Sequence, residues 1–365
     1  MKILFLTTHL NSGGITSYLR TLTKGLIARG HQVFIASSGG DMEQEFLSLG
    51  AQLKTLNIKT KSELDPRIYL ALIPLINLIR EHHIDVIHAQ TRITQVMGRC
   101  LQTLTGKPFV TTCHGFFKTR FFRKKFPFWG KRVIAISEPV KLHLQQDFLV
   151  VEQNICLVDS GLDITDFPLV DEATKKINRK KWDLGEEPAI GIIARLSDVK
   201  GQDILIPAMK EVLQKIPKAK LLIVGEGKME TMLKDLVMTL NLHEHVKFYP
   251  IVNRTTEALS LFDVFVMPSR QEGLGLSVME AQASGLPVVA SNVGGIPTLI
   301  KDGQTGLLVE PENVHQLAQA IIKVLEDKNL AQRLGQQARS FIMQNYSSQK
   351  MVEKTIACYE SVIKG

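Results

Sequence analysis

Short, uninterrupted apolar runs punctuate the first half of the chain: ILFL at 3–6, VFIA at 33–36, DVIHA at 85–89, FVTT at 109–112, VIAI at 133–136 and ICLV at 155–158. Runs of this length without alternation suit strands buried on both faces. Between the first two, Ile15, Leu19, Leu22 and Leu26 recur at helical spacing, and Gly30 closes the helix. Strand and helix in repetition predict a parallel sheet. The polar stretch 171–188 reads as a linker with a short helix, and after it the rhythm restarts. AIGII (189–193), KLLIV (220–224), HVKFY (245–249), DVFVMP (263–268), LPVVAS (286–291) and TGLLV (305–309) are the strands of a second set. Two doubly wound α/β domains divided near residue 165 are expected, with ligands beyond the carboxyl ends of their strands. A cleft between the domains is the natural place for a ligand.

Composition narrows the class. Hydrophobic residues make up 44% of the 365 and charged ones 22%, which excludes disordered and fibrous chains. The apolar run in MKILFLTTHL is too short for a signal-peptide core, and the longest one, Tyr69 to Ile79, contains Pro74 and Asn77. It is about half the length that a membrane span needs, so neither a transmembrane helix nor export is expected. Cys100, Cys113, Cys156 and Cys358 are scattered, with no C-x-x-C pair, and are expected as reduced thiols in the cytoplasm. His243-Glu244-His245 has no further ligands at turn or helix spacing and reads as a solvated turn.

The net charge of +8 is unevenly placed. Residues 1–165 hold 20 Lys and Arg against 12 Asp and Glu, while residues 166–365 hold 24 against 24. Much of the excess lies in FFKTRFFRKKFPFW (116–129), which has six Phe, one Trp, five bases and no acid. So local a charge implies a local partner. A buried segment would not carry a base every two or three residues. Stacking on nucleic acid would use such rings and cations, but no other part of the chain resembles a nucleic-acid module, and no such partner is expected. A membrane surface suits the segment better: rings enter the headgroup region while Lys and Arg sit on anionic lipid. Phe117, Lys118, Arg120, Phe121, Phe122, Arg123, Lys124, Lys125 and Trp129 are the candidate contacts. The competing reading packs several of the rings into the first domain and leaves a basic loop for an acidic or phosphorylated acceptor.

Candidate chemistry concentrates in DVFVMPSRQEGLGLSVMEAQASGLPVVAS, 263–291. A strand runs into a loop with Glu272, Gly273, Leu274 and Gly275, then into a helix that carries Glu280. The glycines allow a close backbone approach, and the amides of Leu274, Gly275 and Leu276 at the helix start can take a phosphate. The two carboxylates are eight residues apart, up to about 12 Å in a continuous helix. A ligand with hydroxyls at its ends and phosphates between fits: a sugar nucleotide. Its diphosphate needs compensating charge, and in ARLSDVKGQD Arg195 and Lys200 supply it from a strand-to-helix loop. No DxD cluster is present, so the site reads as metal-independent. Gly225 and Gly227 in VGEG serve at least a tight turn.

With EGLGLSVME joined by NSGGITSYLRTLTKGLIARGHQV, DVIHAQ, TTCHGF, VIAISE, SGLD, ARLSDVKGQD, LLIVGEG and DGQTGLLV in this order, the chain resembles the retaining family-four glycosyltransferases of the GT-B fold over nearly its whole length. The resemblance implies an acceptor-binding domain at 1–165, a nucleotide-sugar domain at 166–345 and a last helix at 346–365 returning to the first domain. It implies that Glu280 holds the donor ribose and Glu272 contacts the transferred sugar. Arg195 and Lys200 would hold the diphosphate, Gly14 would close over diphosphate or acceptor, and His114 would meet the sugar's outer hydroxyls. Gly13 and Gly14 can equally do no more than start the first helix. In such enzymes attack comes from the leaving group's own face, with the phosphate taking the acceptor's proton. SGLD at 160–163 departs from the pattern with serine in place of asparagine, and Arg270-Gln271 hint at sugar specificity. The donor is then UDP- or GDP-linked, with no further cofactor. The resemblance implies as acceptor an envelope glycolipid, lipopolysaccharide core or polysaccharide precursor, reached at the inner face of the cytoplasmic membrane. A sugar-nucleotide epimerase or hydrolase, or a non-catalytic nucleotide-sugar-binding protein, are the other readings.

Overall fold

The computed structural model describes residues 1–119 and 121–364, and Phe122 by its backbone alone. The chain forms two units: Met1–Gly161 together with the final helix Ser348–Ile363, and Leu162–Ser347. The division falls at Leu162, slightly before the expected 165. The Leu162 amide donates to Tyr346 O (2.9 Å), which ties that residue to the second unit.

In the first unit seven strands form one parallel sheet: β1 Lys2–Leu6, β2 Gln32–Ser37, β3 Gln52–Thr55, β4 Val86–Ala89, β5 Phe109–Cys113, β6 Arg132–Ala135 and β7 Ile155–Leu157. Their order is β3-β2-β1-β4-β5-β6-β7. The apolar runs become buried central strands because helices cover both faces of such a sheet. β3 has no apolar run and is the polar edge that the hydrophobic pattern misses. Helix Gly14–Ala28 buries Leu19, Leu22 and Leu26 as expected from the spacing. Helix Ser348–Ile363 joins this unit through a buried contact: Tyr359 OH lies 2.6 Å from His88 Nδ1, and His88 Nε2 lies 2.7 Å from Thr112 Oγ1. Burial lowers His88 to about 3, so this imidazole stays neutral.

The second unit holds β8 Ala189–Ile193, β9 Lys220–Val224, β10 Val246–Tyr249, β11 Val264–Met267, β12 Val288–Ser291 and β13 Leu307–Val309, all parallel, in the order β10-β9-β8-β11-β12-β13. The polar stretch after 171 holds the expected short helix, Glu172–Lys181, which packs on the second unit. Asp171 caps it, and Arg179 donates to Leu261 O (2.7 Å) and to Asp263 (2.6 Å). Asp263 also pairs with Lys175 (2.7 Å), and these cations hold its carboxyl below the usual carboxylate range against the effect of its burial.

Sheet order decides where each unit can bind. In both, the order reverses beside the first strand, between β1 and β4 and between β8 and β11. The loops leaving those strands diverge there and open a crevice at the carboxyl ends.

Candidate functional site

At the reversal in the second unit, β8 feeds the loop with Arg195 and Lys200, and β11 feeds the loop with Glu272. The structure brings two of these residues into direct contact: Lys200 Nζ forms an ion pair with Glu272 Oε2, both largely shielded from solvent. Arg195 stays exposed, and among the described residues its guanidinium has no ion-pair partner. The crevice therefore offers one uncommitted cation and one cation neutralised by a carboxylate.

The two loops are fastened together. Arg270 reaches Asp203 with both terminal nitrogens (2.9 Å each), Glu312 with Nε (2.8 Å) and Asp198 O with Nη1 (2.6 Å). Its amide donates to Val199 O (2.9 Å). Gly201, at φ +71°, lies so close to Pro268 that a Cβ would stand 1.9 Å from the carbonyl oxygen. The contacts of the Arg270 guanidinium fasten the loop after β11 to the chain after β8, at Asp198 and Asp203, and to Glu312 after β13. Arg270 is a strut that sets Lys200 opposite Glu272. Sequence reading missed this role because the partners are distant along the chain, and no local motif marks them.

Behind Glu272 the chain turns through Gly275, at φ +102°, into helix Leu276–Ala283. Leu274 is buried, Leu276 is half-buried, and the amides of Leu274, Gly275 and Leu276 have no backbone hydrogen bond among the described residues. Gly273 is pressed against Gly295: a Cβ on the latter would stand 2.4 Å from Gly273 O. The Gly295 amide donates to Glu272 O (3.0 Å), so the backbone under Glu272 is fixed. Glu280 is buried on the first turns of this helix, and desolvation pushes its carboxyl up to about 7, with the Thr255 hydroxyl opposing part of the shift. Gly225 and Gly227 each hold the turn after β9 against the backbone of residues 194–196.

In the first unit β5 delivers His114, half-buried, with Nε2 2.8 Å from Gln90 Oε1 and its ring edge-on to Tyr18 at 4.8 Å. Desolvation lowers it to about 3. With Gln90 in this orientation the proton is on Nε2, which leaves Nδ1 an acceptor for a hydroxyl. Gly14 is exposed at the start of its helix, and beside it Gly13 faces open space.

The basic aromatic segment divides. Phe121, Lys118, Lys124 and Lys125 are exposed, and Phe117 is half-buried with the Arg123 guanidinium over its ring at 4.3 Å. Trp129 is buried, edge-on to Phe148 at 5.4 Å, so it belongs to the core rather than to a membrane surface. Its ring completes the packing against helix Glu138–Phe148. Arg120 and the Phe122 side chain, both expected at that surface, lie outside the described residues. Among the described residues no group of three or more His, Cys, Asp or Glu could hold a metal, and no helix is long and apolar enough to cross a membrane.

Comparison with known proteins places this geometry. The model of Glycosyltransferase Family 4 matches residues 12–166, and that of Glycosyl transferases group 1 matches 174–341. The chain belongs to the family-four glycosyltransferases. An uncharacterized glycosyltransferase of Methanocaldococcus jannaschii is 27% identical over 95% of this chain and 94% of its own. The Escherichia coli UDP-Gal:alpha-D-GlcNAc-diphosphoundecaprenol alpha-1,3-galactosyltransferase is 27% identical over 80% and 79%. Among solved structures the Anabaena protein HepE in complex with UDP-glucose superimposes with a TM-score of 0.87 at 22% identity, covering 99% of this chain and 100% of its own. At that identity the likeness speaks for the fold, which is GT-B. This glycosyltransferase uses a nucleotide-sugar donor.

Proposed function

We propose that this glycosyltransferase transfers a sugar with retention of configuration, without a metal, from a UDP- or GDP-sugar to a lipid-linked or polysaccharide precursor of the cell envelope. The observation that carries the reading is the crevice between β8 and β11. Its free Arg195, paired Lys200 and bare amides at Leu274–Leu276 suit a diphosphate, and Glu280 stands buried behind them. Glu280 accepts the ribose hydroxyls. Arriving phosphate oxygens take Lys200 from Glu272, which frees the carboxylate to contact the transferred sugar. The two cations carry the charge that a metal otherwise neutralises. An acceptor hydroxyl then bonds to the anomeric carbon as the bond to the diphosphate breaks, and the hydroxyl proton passes to a phosphate oxygen. The neutral imidazole of His114 suits a sugar hydroxyl, since it accepts from one without adding charge. The UDP donor named for the Escherichia coli relative, and its diphosphoundecaprenol acceptor, support a lipid-linked substrate. Work at a cytoplasmic membrane face, through Lys118, Phe121, Lys124 and Lys125, follows from that acceptor class.

Thermal shift with UDP, GDP, ADP and their sugar conjugates tests the reading. At a hundred times its dissociation constant a ligand stabilises by roughly 2.7 kcal/mol. One nucleotide family is expected to raise Tm in the wild type and to do so less in Glu280→Ala and Arg195→Ala. Stabilisation that both variants retain in full would remove these residues from the donor site.

A further inference from the structure

The basic aromatic segment is not alone on its side of the first unit. Leu64, Leu70 and Ile73 are 83%, 67% and 63% exposed, comparable with Phe121 at 72%. They stand on and before helices Pro66–Leu70 and Leu72–Glu81, whose opposite face buries Ile68, Leu72, Leu75 and Ile79 in the core. Leu70 and Ile73, three residues apart, share the outer face. One side chain joins this patch to the basic segment. Arg92 grips Glu63 with Nε (2.7 Å) and Nη2 (2.9 Å), and reaches Pro127 O with Nη1 (2.7 Å) and Phe126 O with Nη2 (2.9 Å). Its guanidinium also lies over the Phe128 ring at 5.2 Å. Residues 63 and 126–128 are thus held to a single guanidinium, which joins the chain that carries Leu64 to the end of the basic segment.

Charge separates this surface from an ordinary protein contact. Its acids are each taken by an arginine, Glu63 by Arg92 and Asp65 by Arg67 (2.6 Å). Lys59 and Lys61 on one segment, and Lys118, Lys124 and Lys125 on the other, are exposed, with no ion pair among the described residues. Exposed aliphatic side chains in a field of unpaired lysines match an anionic lipid interface, in which rings and aliphatics enter the acyl boundary while ammonium groups stay at the headgroups.

We propose that the membrane-docking surface has two segments, one at residues 59–73 and one that carries Lys118, Phe121, Lys124 and Lys125, clamped by Arg92, with Leu64, Leu70 and Ile73 supplying an apolar anchor that salt does not weaken. This rests on the membrane reading above. The test is sedimentation of the full chain with vesicles of phosphatidylcholine, alone and with phosphatidylglycerol, at low and high salt. Leu70→Gln/Ile73→Gln is compared with Lys118→Glu/Lys124→Glu, and each variant is accepted as folded if its Tm and donor-induced shift match the wild type. The glutamine pair is expected to lose roughly tenfold or more of the binding that survives high salt, the scale of withdrawing two large aliphatic side chains from lipid. The charge pair is expected to lose the low-salt preference for phosphatidylglycerol. If the glutamine pair binds like wild type while the charge pair does not, the apolar anchor is refuted and the membrane reading stands. Wild type that sediments with no vesicle refutes both. Concentration-dependent self-association abolished by the glutamine pair would assign the patch to a second copy of the chain, and would overturn the proposal.

Discussion

Replacing Glu280 by glutamine should stabilise the protein while weakening its hold on the donor. Burial raises this carboxyl from 4.5 to about 7, so the native state binds the proton more tightly than the unfolded chain. The sign follows directly: between the two values the folded state holds more protons, and its stability falls as pH rises. The contribution is fully present below about pH 4.5 and gone once pH passes the folded pKa near 7. At about 1.4 kcal/mol per tenfold in proton affinity, keeping the ionised carboxylate in the fold costs about 3 kcal/mol. Glutamine has nearly the same shape and no ionised form, so Glu280→Gln removes that cost. For a unit of this size the gain is roughly 6–12 °C in Tm above about pH 8, vanishing near pH 4.5. Calorimetric scans of the donor-free proteins across this range measure it. The reasoning fails if the two Tm curves run parallel, because a constant offset would come from packing and not from proton linkage. Donor affinity supplies the complement. If the ribose is held by the carboxylate, wild-type affinity rises as pH passes through about 7, and the variant loses both the affinity and its pH dependence.

Two further outcomes follow from contacts that local sequence does not advertise. Arg270→Met removes the strut between the loops after β8 and β11; kcat/KM should fall on the order of tenfold with every sugar offered, since positioning and not sugar choice is lost, whereas an altered ranking of sugar donors would restore the specificity role. Trp129→Ala should destabilise the first unit by about 3–5 kcal/mol through the lost aromatic packing, as measured by urea denaturation; a change below about 1 kcal/mol, accompanied by weaker vesicle binding, would return this ring to the surface.

Legibility in the sequence followed the range of the interactions concerned. Central strands read correctly because burial on both faces makes each a continuous apolar word, whereas β3 pairs only at an edge and spells QLKT. Glu272, Glu280, Arg195 and Lys200 were visible as residues because strand-to-helix loops announce themselves through glycine. The pairing of Lys200 with Glu272 is not visible, since it spans 72 residues and depends on the sheet order that sets β8 beside β11. The same limit explains Trp129. Its neighbours in sequence are basic and aromatic, which suggests a shared surface, but its neighbours in space include Phe148 and Phe117.

Arg92 shows what that limit hides. In sequence it is an unremarkable base at the start of the helix Arg92–Thr105. In the fold it binds a carboxylate 29 residues upstream and two carbonyls 34 and 35 residues downstream. A guanidinium with five fixed donors can hold two distant chain segments in one geometry, which a lysine cannot. Each of the segments it gathers carries exposed apolar side chains and exposed lysines, and the guanidinium ties the two together. A motif search finds the basic run, and a hydropathy scan finds Tyr69 to Ile79, but only the clamp makes them one feature. If the acceptor is lipid-held, as proposed, anchoring through two segments would limit rotation about the membrane contact, as a single loop would not.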